Sequence, residues 1–120
     1  MRKFRFQDLK IWQEAIQITD KLLDISDALE ERRAYKFAEQ LRGASLSMTN
    51  NIAEGSGSSS DRDFANFLNI ARRSTFENAN MLIIFHRRKL INETTKTELF
   101  NSLDELCRKM TNFQKTLLKV

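Results

Sequence analysis

Apolar residues return every three or four positions in this chain, and they do so in four separate runs. Ile11, Ala15, Ile18, Leu22, Ile25 and Leu29 make the first, with Trp12, Ile16 and Leu23 widening it. Ala34, Ala38, Leu41, Ser45, Met48 and Ile52 make the second, Phe64, Leu68, Ala71, Thr75, Asn78, Leu82 and Phe85 the third, and Leu99, Leu103, Leu106, Met110, Phe113 and Leu117 the fourth. That spacing is the signature of a helix with one buried face. It predicts helices over about 7–30, 34–54, 61–88 and 93–118, joined by short turns. Four such helices with short connections form an antiparallel up-and-down four-helix bundle, all-α and a single domain over 1–120.

Punctuation agrees with this reading. The chain has no proline and three glycines, Gly43, Gly55 and Gly57, too few turn residues for an all-β fold. Two of those glycines stand with four serines in Gly55–Ser60. A phosphate loop would need a Gly-Lys-Ser/Thr ending after a strand, and a dinucleotide fingerprint a third glycine in a βαβ unit. Neither is present, so the stretch reads as a helix–helix corner. Gly55 is expected as a left-handed helix stop and Ser60 or Asp61 as the next N-cap, with Asp63 completing a weak capping box. Thr94 and Thr95 are the candidate caps of the fourth helix. Thr75 and Asn78 lie on an inner face, where interhelical hydrogen bonds are expected to satisfy them.

Catalytic chemistry is missing from the pattern. Carboxylate-bridged metal bundles use Glu-x-x-His pairs, whereas the one histidine, His86, has Ile83 where the glutamate belongs. The single cysteine, Cys107, excludes an internal disulfide and a cysteine zinc site, and its place in an apolar period suggests an inert core thiol. His86 reads as a surface residue, and nothing in the spacing pairs it with Cys107. We expect no enzyme, no cofactor and no metal. No window is apolar for long enough to span a membrane, and the basic N-terminus lacks the apolar stretch of a signal peptide. A cytoplasmic location is expected.

Charge is more suggestive. The net charge is +4 and the pI about 9.5, compatible with a polyanionic partner. Arg62, Asn69, Arg73, Asn80 and Arg87 fall together on the outer face of the third helix, flanked by Asn66, Arg72 and Arg88. Arginine and asparagine suit phosphate and base-edge contacts, although a solvated face is the plainer reading of any one such stripe. Further basic groups are Arg2–Lys3–Arg5, Arg32–Arg33–Lys36 and Arg87–Arg88–Lys89. In Met81–Phe85, Ile83 and Ile84 point away from the core face. With Trp12 and Ile16 they are candidate subunit contacts.

The segments FRFQDLKIWQEAIQI, EQLRGASLSMTNNIAEGSG and DFANFLNIARRST resemble the bacterial 23S ribosomal RNA intervening-sequence proteins, a family that also includes accessory variability proteins of diversity-generating retroelements. The most specific pieces are Gln40-Leu41-Arg42, then Asn51-Ile52-Ala53-Glu54-Gly55, then Asp63-Phe64 with Phe67-Leu68. Thr49 stands where the family usually has proline, which permits a more continuous second helix, and Arg73 where it often has glycine. The resemblance implies a four-helix bundle assembled as a ring-like homo-oligomer, a pentamer in characterised relatives, with no known enzymatic activity. Relatives of the retroelement type bind nucleic acid and a reverse transcriptase. Gln40, Arg42, Asn51, Glu54 and Gly55 are motif residues for which a structural role is expected, Arg42, Asn51 and Glu54 in a shared polar network. Two functions stay open: a homo-oligomer that binds RNA or DNA through its basic surface, or a protein-interaction scaffold.

Overall fold

The computed structural model describes residues 3–119 and contains four long helices: α1 (Lys10–Glu31), α2 (Tyr35–Ser56), α3 (Asp61–Arg87) and α4 (Glu93–Leu118). A short 3-10 turn, Arg5–Asp8, precedes α1, so the first helix starts three residues later than its apolar pattern suggests. Arg2 of the N-terminal basic group lies outside the described residues. Each helix packs on its sequence neighbours, α4 closes more lightly on α1, and the diagonal pairs do not meet among the described residues. The result is the expected up-and-down bundle, 47 Å long.

The third stripe is buried in full, and so are the central residues of the other three; Ile25, Ala34, Phe113 and Leu117 are only partly covered. Phe64 and Phe85 mark the two ends of the core on α3. Phe64 meets Phe113 edge-on at 5.3 Å and Phe85 meets Phe37 at 5.4 Å. Arg5 lies 5.1 Å over the Phe64 ring, which ties the N-terminal turn across one end of the bundle.

The corners use different residues from those expected. Gly55 is no left-handed stop: α2 runs on to Ser56, and no glycine has positive φ. Gly55 is small because α3 passes close by; a Cβ there would stand 2.7 Å from Phe64 Cδ1 and 2.8 Å from Phe67 Cβ. The left-handed positions belong instead to Arg33 (φ 63°) and Lys89 (φ 61°). At both, two backbone bonds close the helix end: Arg33 N–H to Glu30 O with Ala34 N–H to Leu29 O, and Lys89 N–H to His86 O with Leu90 N–H to Phe85 O. Ser60 caps α3 as expected, its Oγ accepting from Asp63 N–H at 3.1 Å, with no return bond from the Asp63 carboxylate. For α4 the cap is Asn92, whose Oδ1 accepts from Thr95 N–H at 2.8 Å, and neither threonine serves. The side-chain amide reaches the orphan N–H from the residue that turns into the helix.

Thr75 and Asn78 are buried but bond within their own helix, Thr75 Oγ1 to Ala71 O and Asn78 Nδ2 to Ser74 O. The interhelical register bonds fall elsewhere. Thr19 Oγ1 donates to Ser45 O across α1–α2 at 3.2 Å, and the Ser47 and Ser74 hydroxyls meet at 2.7 Å across α2–α3. Lys109 Nζ reaches Glu14 Oε1 at 2.6 Å, strapping α4 to α1.

Candidate nucleic-acid interface

An up-and-down bundle places its α1–α2 and α3–α4 corners at the same end, and here a bond from Arg32 Nη1 to Leu90 O, 3.4 Å, joins them. Two basic groups far apart in sequence thereby share one end: Arg32, Arg33 and Lys36 with Arg87, Arg88 and Lys89. All six are exposed, and none makes an ion pair among the described residues. Of the nearby acids, Glu31 is exposed without an ion pair among the described residues, and two others are engaged elsewhere. Glu30 pairs with Arg42 at 2.6 Å, and Glu93 pairs with His86 at 2.8 Å and Lys96 at 3.4 Å. Lys96 chiefly, and His86 beside it, hold the Glu93 carboxyl below its ordinary range.

From that end the basic stripe runs along α3. Arg62, Asn69, Arg73, Asn80 and Arg87 are all exposed, as the helical period predicts. Arg62 to Arg87 spans roughly 38 Å at ~1.5 Å per residue. Arg62, Arg72 and Arg73 likewise have no ion pair among the described residues, although Glu77 is one turn on from Arg73. Arg72 is half-buried; its guanidinium carbon lies 5.3 Å over the ring of Phe76, and its Nε is buried without a partner.

Phe76 is the residue that sequence reasoning missed. It is 59% exposed, more than any other large apolar side chain in the four helices. It stands seven residues after Asn69 and eleven before Arg87. At ~100° per residue it therefore sits within about 60° of every member of the stripe. The same spacing rule could have found it. Phe76 also forms the wall between two hollows along the α3–α4 groove. One, about 190 Å³, is largely apolar and is lined by Ala79, Phe100, Leu103 and Cys107. The other, about 430 Å³, carries Arg72, Arg108, Thr111 and Asn112. Asp104 borders both and pairs with Arg108 at 3.0 Å. Cys107 is thus a half-buried groove residue and not the core thiol expected. His86 is also half-buried, drawn in by Glu93.

Of the candidate subunit contacts, Ile83 and Ile84 are exposed, at 41% and 39%. Trp12 and Ile16 are half-buried, and Trp12 packs against Phe6 of its own chain at 4.9 Å. Leu46 and Ile70 join the exposed aliphatics.

The motif residues brace helices at separate places. Arg42 forks to Asp27 at 2.8 Å and Glu30 at 2.6 Å, locking α1 to α2, and Asp27 first, then Glu30, raises its already high pKa. Asn51 Nδ2 donates to Ser47 O and Ser47 Oγ, which carries the bond on to Ser74. Gln40 and Glu54 are exposed, and Glu54 has no side-chain bond among the described residues. One shared network of Arg42, Asn51 and Glu54 is therefore not formed. Among the described residues no group of three His, Cys, Asp or Glu side chains could hold a metal ion, and no helix is long and apolar enough to cross a membrane.

Residues 7–112 match the family model described as 23S rRNA-intervening sequence protein. Among solved structures, a protein of unknown function from the S23 ribosomal protein family of Bacteroides thetaiotaomicron superposes with a TM-score of 0.83. The match covers 88% of this chain and 98% of that one at 21% identity, and it shows a shared fold. No curated protein matches.

Proposed function

The chain belongs to the 23S rRNA-intervening sequence protein family, and from that premise we propose a cytoplasmic, non-enzymatic homo-oligomer that binds RNA or DNA through the basic end and outer face of α3. The observation that carries this reading is the unneutralised end, where six cationic side chains from two corners stand together with no carboxylate partner among the described residues. Arg42, Arg108 and Lys109 have acids within reach, whereas Arg62, Arg72 and Arg73 share the unpaired state of the basic end among the described residues. A concentrated, unpaired positive field is what a polyphosphate backbone recognises. Arg62, Arg72, Arg73, Arg87 and Arg88 are the phosphate contacts. Asn69 and Asn80 lie between them for sugar and base edges.

The homo-oligomer is supported by aliphatics left in water: Leu46, Ile70, Ile83 and Ile84. The family resemblance implies a ring of five. Each subunit then offers one weak basic patch and the ring sums them along one polyanion. A second reading, a scaffold for a protein such as a reverse transcriptase, is favoured by exposed Phe76 and Phe100, which a partner could cover.

The test is binding to a fluorescent structured RNA across a salt series, with the mass of the complex followed by light scattering. Tight binding that falls steeply with salt, weakened and flattened in the Arg62/Arg73/Arg87 triple alanine variant, is expected. An oligomer that ignores RNA at low salt overturns the nucleic-acid reading and leaves the scaffold.

A further inference from the structure

We infer that the groove beside Phe76 takes an unpaired base, so that the nucleic acid held by the α3 face is single-stranded where it crosses this groove. The inference rests on the nucleic-acid reading above and adds to it the state of the strand. Three observations carry it.

A phenylalanine at 59% exposure gains nothing from water, and it stands among the arginines and asparagines of a face that also carries exposed Ile84, about two turns on. Its ring is already used as a stacking surface by Arg72, 5.3 Å away. The Arg72 side chain is laid over the ring with Nε buried, and its Nη groups have no protein partner among the described residues.

The two hollows differ in the way that a nucleotide differs along its length. The hollow between Phe76 and Phe100 is largely apolar, with Asp104 at its border, and suits a base lying flat on a ring. On the other side of Phe76, the unpaired Arg72 with Thr111 and Asn112 offers a cation and polar groups to a phosphate and sugar, while Arg108 is held by Asp104. Arg73 stands within one turn of Phe76 and Arg62 about four turns before it on the same helix, where the strand would continue.

Access separates single strands from duplexes. Phe76 borders two hollows and presents an exposed ring face, which a ligand's ring can cover only if that ring has a face free of its own stack. A paired base keeps its faces against its neighbours. An unpaired one exposes a face that any aromatic can cover, with little sequence preference.

The experiment measures affinities of the intact protein for a single-stranded RNA oligomer and for an RNA duplex of equal length, by fluorescence anisotropy over a salt series. Wild type is compared with Phe76→Ala, Phe76→Leu and Phe76→Trp. The three substitutions fall at one exposed position, and circular dichroism with light scattering checks folding and assembly.

Single strands should bind more tightly than the duplex. Phe76→Ala should lose on the order of tenfold or more for the single strand, the effect of one stacked base, with an unchanged salt slope. Phe76→Leu should lose nearly as much, since it keeps the apolar bulk without the ring, and Phe76→Trp should retain binding. Equal affinity for duplex and single strand, unmoved by Phe76→Ala but weakened by the arginine substitutions, overturns this inference and leaves the proposed function standing. Absence of binding to either RNA at low salt overturns both. A fall in oligomer mass in Phe76→Ala assigns the groove to a subunit contact, and rescue of single-strand affinity by Phe76→Leu assigns it to general apolar bulk; either result overturns the base-stacking role.

Discussion

Gly55 and Phe64 are in contact across the α2–α3 corner so closely that a Cβ on residue 55 would lie 2.7 Å from the Phe64 ring. That ring is itself hemmed in by Phe113 and by Arg5, so it has nowhere to swing. Gly55→Ala is therefore expected to destabilise the protein by about 1–2 kcal/mol, overpacking outweighing the gain in helix propensity. Gly43→Ala is the matched control. Nothing lies within 4 Å of a Cβ at that exposed helical site, so it should stabilise by about 0.5–1 kcal/mol. Urea denaturation of the two variants reads both signs. A stabilised Gly55→Ala would show that α3 does not press on this glycine.

Arg33 and Lys89 hold left-handed backbone that costs a residue with a Cβ about 1–2 kcal/mol. Glycine at either place should raise stability by about 1 kcal/mol, part of the relief being lost to the greater freedom of the unfolded chain. Melting curves of Arg33→Gly and Lys89→Gly test this. Each variant also removes one cation from the basic end, so weaker RNA binding by a more stable protein would separate charge from fold.

Asn78 is fully buried, and its Oδ1 has no hydrogen-bond partner among the described residues. Its amide group bonds only to Ser74 O, which is on the same helix. Asn78→Leu should stabilise the protein by about 1–3 kcal/mol, because an unpaired buried acceptor disappears and apolar contact replaces it. A destabilised variant would indicate a partner for Oδ1, and chemical denaturation decides the matter.

Glu93 gives the α3–α4 corner an acid limb. Its folded carboxyl titrates below the ordinary 4.5, chiefly because of Lys96 and also because of His86. A depressed folded value means that the stabilisation is present above the unfolded value and is lost as pH falls through the folded one. Glu93→Gln should consequently lower the melting temperature near neutral pH, and the difference from wild type should shrink and close as pH falls through the depressed folded value. A difference that persists at low pH would mean that Glu93 acts through packing and not through charge.

How much of this was legible beforehand depended on distance along the chain. The four stripes from Ile11 to Leu117 placed helices and core, because burial on one face imposes a period that local sequence records. Ser60 was readable as a cap for the same local reason. Thr75 and Asn78 were correctly placed inward, yet their partners were not, since a short polar side chain in a helix can equally reach back to its own carbonyls. Gly55 was misread because a glycine near a helix end answers to two needs, left-handed backbone or close approach, and only the position of Phe64 decides between them. The basic end was invisible as one feature, for Arg32 and Leu90 meet only through the topology. Phe76 obeys the spacing rule of the stripe, but a single aromatic on an outer helix face carries no charge and looks in sequence like any tolerated exposed apolar residue.

The uneven closure of the bundle sets a sequence of assembly. Each helix packs mainly on its sequence neighbours, α2 most heavily on α3, and only the lighter α1–α4 seam joins the far ends of the chain. Contacts of that kind ask for little long-range searching, so the fold can grow helix by helix in the order of synthesis. The last event is the docking of α4 on α1, where Lys109 finds Glu14 across most of the chain's length. That latch is made late and is the first place for the molecule to breathe.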